Sequence, residues 1–121
     1  MHKKYRLRAN ADIERLRREG RSRAHPLLVL LVLPNDLELS RFAFAVGRKI
    51  GKAARRNRVK RRMREALRQR LARQEIAAGW DVLLIARRPI VDASYQQVDE
   101  AIGLLLRRAE LTNEELSGSS C

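Results

Sequence analysis

The chain reads as an α+β protein, one small sheet combined with three helices, in the order helix, strands, helix, strand, helix. Three observations point there. Residues 27–33, 41–46 and 80–86 are apolar or alternating runs of strand length. Residues 12–20, 53–74 and 94–109 carry apolar side chains at the three- and four-residue spacing of a helix. At 121 residues and 45% hydrophobic, the chain is sized for one domain with a modest core that needs no metal or disulfide. The expected domain covers residues 1–111; residues 112–121 turn polar and small and are expected to be a disordered tail.

In chain order, Asp12 is placed to cap a short helix bearing Ile13 and Leu16 on one face, and Gly20 to end it. Arg21 to His25 is expected as a basic loop. Leu27 to Leu33, rich in Leu and Val, reads as a central strand stopped by the turn signal Pro34-Asn35-Asp36. Arg41 to Val46 alternates, with Phe42, Phe44 and Val46 assigned to the core. The opposite side, Ala43 and Ala45, suits either a close nucleic-acid backbone or a packed helix. Gly47 to Gly51 is expected as a flexible basic connector.

From Ala53 to Gln74, Val59, Met63, Leu67 and Leu71 recur every four residues with Ala66 beside them, a stripe that docks a long helix closed by Gly79. Trp80 to Ala86 is the next strand, ended by Arg87-Arg88-Pro89. Ser94 and Gln97 form a capping box for a last helix that buries Val98, Ile102, Leu105 and Leu106.

The charge pattern carries the functional information. Between Arg48 and Gln74 stand thirteen Lys or Arg and a single acid, Glu65, nearly the whole of the formal net charge of +13. A solvated helix normally intersperses acids at i±4; this one does not. Charge of one sign at this density repels itself, and a polyanion that releases counterions on binding relieves it. Asn57, Lys60, Arg61, Arg64 and Arg68 fall on a face other than the apolar stripe, so the helix can dock by one side and offer the other to phosphates.

Other classes are disfavoured. Five aromatic residues are too few for wide base-stacking platforms. Leu27 to Leu33 is about a third of the ~20 residues a membrane-spanning helix needs, and the basic start is not followed by the apolar stretch of a signal peptide. The lone Cys121 fits a reducing compartment, and a soluble cytoplasmic protein is expected. His2 and His25 stand apart, and the carboxylates Asp12, Glu14, Glu19, Asp81 and Asp92 form no acid–base pair. There is no Cys/His ligand set and no phosphate-cradling Gly motif. No catalytic residue, no metal site, no membrane and no small-molecule substrate is expected of the protein itself.

The run Gly51-Lys52-Ala53-Ala54-Arg55-Arg56-Asn57-Arg58-Val59-Lys60-Arg61-Arg62-Met63-Arg64-Glu65-Ala66 resembles the Arg-Asn-Arg helix of the small protein subunit of bacterial ribonuclease P. That ribonucleoprotein removes the 5′ leader from precursor tRNA. Ala45-Val46-Gly47-Arg48-Lys49-Ile50-Gly51 and Leu84-Ile85-Ala86-Arg87-Arg88-Pro89 are similar to the family as well, and the likeness runs from about Lys3 to Leu111.

The resemblance implies a small mixed sheet in an αβββαβα-like order with a left-handed crossover. It implies an endoribonuclease whose chemistry is done by a separate catalytic RNA with Mg²⁺, the protein binding no cofactor alone. The implied partners are that RNA and precursor tRNA. Carried over by position, the RNA-binding residues are Arg48, Lys49, Lys52, Arg55, Arg56, Asn57, Arg58, Lys60, Arg61, Arg64 and Arg68. The implied leader cleft holds Ile13, Arg17, Leu31, Ala43 and Ala45. The family often has aromatic residues on its first helix and first strand; here the matching positions are Ile13, Arg17 and Leu31, so apolar packing and phosphate contacts replace stacking. A general RNA-binding module would share the charge pattern. A major-groove DNA binder would need a dimerisation seam after the basic helix, and Gly79-Trp80 interrupts it.

Overall fold

A computed structural model describes residues 2–112. A helix, α1 (Asn10–Glu19), leads into strands β1 (Arg21–Ala24), β2 (Leu28–Pro34) and β3 (Arg41–Ala45). The long helix α2 (Ala53–Ala72), strand β4 (Trp80–Ala86) and helix α3 (Tyr95–Arg108) follow. The sheet order is β1-β2-β4-β3. β1 and β4 each run antiparallel to β2, and β3 runs parallel to β4. A parallel pair needs a crossover connection, and α2 supplies it.

The period of two divides the sheet into two faces. Leu28, Leu30, Val32, Phe42, Val82, Leu84 and Ala86 face one way and form the main core with α2 and α3. α2 contributes Val59, Met63, Ala66 and Leu67; α3 contributes Val98, Ala101, Ile102, Leu105 and Leu106. Each such large apolar side chain removed from water stabilises the fold by roughly 1.5–3 kcal/mol. The two helices approach closely at Gly103, where an added Cβ would lie 2.7 Å from the Arg70 guanidinium. Arg70 crosses that gap to donate to the Asp99 carbonyl at 2.9 Å and its carboxylate at 3.1 Å. On the other face, Ala43 and Leu83 pack with Leu7 and Leu16 in a smaller cluster, flanked by half-buried Ile13, Leu31, Leu33, Ala45 and Ile85. α1 covers only part of that face.

The expected capping box on α3 is formed: Gln97 N donates to Ser94 Oγ at 3.1 Å, and Ser94 N to Gln97 Oε1 at 2.8 Å. Several local expectations are corrected. α1 is entered through Ala9, with no side-chain cap; Asp12 lies in its first turn, where a carboxylate favours the helix dipole without capping it. Residues 21–24 are a strand rather than a loop. They are mostly exposed, so their place comes from backbone pairing with Val29 to Val32, which apolar patterning does not register. Arg48–Ile50 is a 3-10 turn pinned by buried Ile50 rather than a flexible connector, and Gly51 follows at a φ of 137° that favours glycine. α2 stops at Ala72, not Gly79: Gln74 turns the chain at a φ of 57°, and Gly79 serves the entry to β4. Thr112, assigned to the tail, pairs with Ile76, so order extends past residue 111. The rest of the expected tail lies outside the described residues.

Candidate nucleic-acid interface

α2 sorts its basic residues by direction. Those facing α3 are structural: Arg62 donates to the Ala93 carbonyl at 2.8 Å, and Arg70 pairs with Asp99. Arg73 at the helix end pairs with Glu75 at 3.0 Å. Arg55, Asn57, Arg58 and Arg61 are exposed, as are Arg48, Lys49 and Lys52 just before the helix. Among the described residues none of these cations has a carboxylate within 4 Å. The first turn of α2 holds no acid, and Lys52 at the cap makes no side-chain hydrogen bond. The positive end of the helix dipole therefore adds to Lys49, Lys52 and Arg55 instead of being neutralised.

The i+4 row Arg56, Lys60, Arg64 is half-buried and turns toward β3. Lys60 and Arg64 form one wall of a groove of about 230 Å³ whose other walls are Arg6, Arg8 and Ile13, with Leu7, Phe42, Ala43 and Phe44 at its floor. The Arg64 guanidinium lies 5.9 Å from the Phe44 ring centroid, a cation–π contact that orients its planar fork. Basic rims over an apolar floor suit a strand whose phosphates lie outside and whose bases or sugars lie within. Ile13 and Ala43 of the expected cleft thus meet Lys60 and Arg64 of the expected basic face in one groove. Leu31 and Ala45 are on the same sheet face, Leu31 and Ala43 both registering with Leu83, and Ala45 with Ile85. Arg17 is exposed on α1 and does not line the groove. Ala43 is buried beneath Leu7 and Leu16, so its small size serves packing; half-buried Ala45 is the more open of the two. Arg6, Arg8 and Phe44 join the site beyond the sequence expectation. The basic start is visible in the sequence, but it is the pairing of Arg6 and Leu7 with Phe42 that brings it to β3.

An ionic cluster fastens α1 across the sheet. Buried Asp81 on β4 accepts two hydrogen bonds from Arg41 of β3, at 2.9 and 2.8 Å, and one from Asn35 at 2.9 Å. Arg41 also reaches Asp12 of α1 at 3.5 Å. The hydrogen bonds to Asp81 push the Arg41 pKa above its ordinary value. At the other end of α1, a Cβ on Gly20 would fall 2.4 Å from the Leu16 carbonyl oxygen and 3.3 Å from that of Val32. Glycine there lets the helix end lie close to β2.

Arg68 differs from its neighbours. Its guanidinium forks onto both oxygens of Glu65, one at 2.9 Å. The Arg68 hydrogen bonds, then the Gln69 amide, draw the Glu65 pKa from 4.5 down to about 2. Because the folded value lies below the unfolded one, the pair supports the fold above pH 4.5, and that support fades as pH falls through about 2. A phosphate would compete with Glu65 for the same fork. Glu65→Gln is therefore expected to strengthen RNA binding roughly five-fold in a filter-binding titration at moderate salt. Unchanged affinity would place Arg68 off the interface. In the wild-type complex the Glu65 titration should move back toward 4.5.

Among the described residues no group of three or more His, Cys, Asp or Glu could hold a metal ion, and no helix is long and apolar enough to cross a membrane.

Comparison with known proteins places this geometry in a family. The model of the family described as Ribonuclease P matches residues 1–110. The ribonuclease P protein component of Herpetosiphon aurantiacus is 40% identical over 114 residues, covering 94% of this chain and 91% of that protein. That of Pelotomaculum thermopropionicum is 44% identical over 105 residues, covering 87% and 92%. Among solved structures, the RNase P protein of Staphylococcus aureus superposes with a TM-score of 0.81 at 30% identity, covering 90% of this chain and 98% of the other. The RNase P protein from Thermotoga maritima gives 0.75 at 34% identity, covering 84% and 96%.

Proposed function

The chain belongs to the ribonuclease P protein family, and from that membership we propose that it grips the catalytic RNA with the outward face of α2 and holds the 5′ leader of precursor tRNA along the groove between α1, β3 and α2. Leader removal then leaves the mature tRNA 5′ end. One observation supports this most directly: among the described residues, the cations of α2 that face away from the core and α3 lack carboxylate partners, Arg68 excepted, and they run continuously into a groove with an apolar floor.

Each residue type suits its task. Arg55, Arg58 and Arg61 offer planar forks for bidentate phosphate contacts, Lys49, Lys52 and Lys60 supply compact point charge, and the Asn57 amide both donates and accepts. Arg56, Lys60 and Arg64 on one rim and Arg6 and Arg8 on the other would hold the leader's phosphates. Ile13 and Phe44 would exclude water from the strand between them. The phosphodiester is cleaved by the RNA subunit, which supplies the Mg²⁺ chemistry; the protein's residues neutralise phosphate repulsion between two RNA chains and position the leader.

The test is multiple-turnover cleavage of a 5′-extended precursor tRNA by a bacterial ribonuclease P RNA at low Mg²⁺, with and without the protein. Stimulation of at least ten-fold with the mature 5′ end as product is expected. Intact RNA binding with no stimulation by a cognate RNA would leave a general RNA-binding module in its place.

A further inference from the structure

We propose a second RNA-binding surface on the opposite edge of the protein, formed by Arg21 and Arg23 of β1 with Arg107 and Arg108 at the end of α3. It takes the phosphate backbone of an RNA strand other than the one on α2. The inference rests on the RNA-binding reading above and extends it from one face to two.

The sheet sets the separation. β3, against which the α2 groove is built, is one edge of the sheet, and β1 is the other. Arg21 and Arg23 register with Val32 and Leu30, so both project to the sheet face that α3 covers. There the Arg23 Nε donates to the Arg108 carbonyl at 3.3 Å, which joins strand and helix end into one patch. Its Nη1 donates to the Ser22 carbonyl at 3.0 Å. Both acceptors are neutral carbonyls, so among the described residues Arg23 is oriented without being neutralised, and its Nη2 has no acceptor there. The Arg21 guanidinium lies over the Trp80 ring at 5.7 Å from the centroid, which fixes its plane in the same way. Arg107 and Arg108 are exposed.

Two of these charges are held in place by neutral groups. Among the described residues none of the four arginines has a carboxylate within 4 Å, whereas Arg15 and Arg18 on nearby α1 pair with Glu19. Charge on an edge strand discourages sheet-to-sheet pairing, and cations at a helix C-terminus favour the dipole. Either effect needs one or two charges; neither calls for four together, two of them held by carbonyls or a ring. Four unneutralised forks, two of them oriented, fit phosphate oxygens.

Salt dependence of binding to a bacterial ribonuclease P RNA tests this, using wild type, R21A/R23A/R107A/R108A, and the helix-end variant R107E/R108E, which leaves the strand and Trp80 untouched. Each phosphate that the protein no longer neutralises lowers the log–log slope by roughly 0.7 to 0.9. The slope should fall by about 1.5 or more in the quadruple variant, and Kd at moderate salt should rise at least ten-fold. The charge-preserving variant R21K/R23K/R107K/R108K should keep the wild-type slope. Hydroxyl-radical protections that disappear in the alanine and glutamate variants should differ from those that disappear when α2 is altered. Unchanged slope and affinity in both variants, or disappearance of the same protections as on α2, would overturn the second surface. Absence of salt-dependent binding by the wild type would overturn the RNA-binding reading beneath it.

Discussion

Replacing Arg58, Arg61 and Arg64 together with alanine is expected to weaken binding to ribonuclease P RNA by roughly 100- to 1,000-fold. A hydrogen bond to a charged group contributes about 1.5–3 kcal/mol net, so even at the low end of that range three missing forks amount to about 4 kcal/mol. The log–log salt slope should fall by about 2 to 3. Folding should be little affected, because Arg58 and Arg61 are exposed and Arg64, half-buried, lies over the Phe44 ring at the groove rather than within the core. Thermal denaturation followed by circular dichroism separates the two effects. An unchanged slope in a folded variant would mean that this face does not meet the backbone. The contrast within the same helix is sharp: Arg62→Ala should leave the slope alone and cost stability, since its fork is spent on the Ala93 carbonyl.

That contrast shows what was legible in the sequence and what was not. The apolar stripe of α2, the capping box at Ser94 and the strands around Leu30 and Leu84 follow from local periodicity and cap chemistry, and all appear as expected. The basic face follows from the same periodicity. β1 does not, because its pairing is a tertiary event and its side chains are polar. The end of α2 does not either: the chain turns at Gln74, in a φ region that glycine usually occupies, while the glycine five residues later serves another turn. The groove is a matter of assembly. Arg6 and Arg8 reach it because residues 6–7 pair with Phe42, and Ile13 because α1 crosses the sheet; nothing in the local sequence of either segment encodes their meeting. Asp81 looks isolated in the sequence. Its partners, Asn35 and Arg41, come from two distant segments.

Asp81→Ala is expected to cost about 3 kcal/mol, lowering Tm by roughly 10–15 °C for a domain of this size. Asp81 is 7% exposed, and removal of its carboxylate leaves Arg41 without its two short hydrogen bonds and Asn35 without one acceptor. Most of the loss comes from the stranded partner rather than from the pair's own net attraction, because desolvation offsets much of the Coulomb gain in a buried ion pair. The double variant Arg41→Met/Asp81→Leu should therefore recover most of the lost stability. It should not recover function. Without Arg41 the link to Asp12 is gone, and α1 is held over the sheet only by Leu16, its neighbours and the close approach at Gly20. A looser α1 shifts Ile13 relative to Lys60 and Arg64, so the double variant should bind leader-bearing precursor tRNA several-fold less well while its salt slope on the catalytic RNA stays at the wild-type value. If the double variant is as unstable as the single one, Asp81 acts mainly by holding the Asn35 turn. If it is stable and binds the leader normally, the ion cluster does not set the groove.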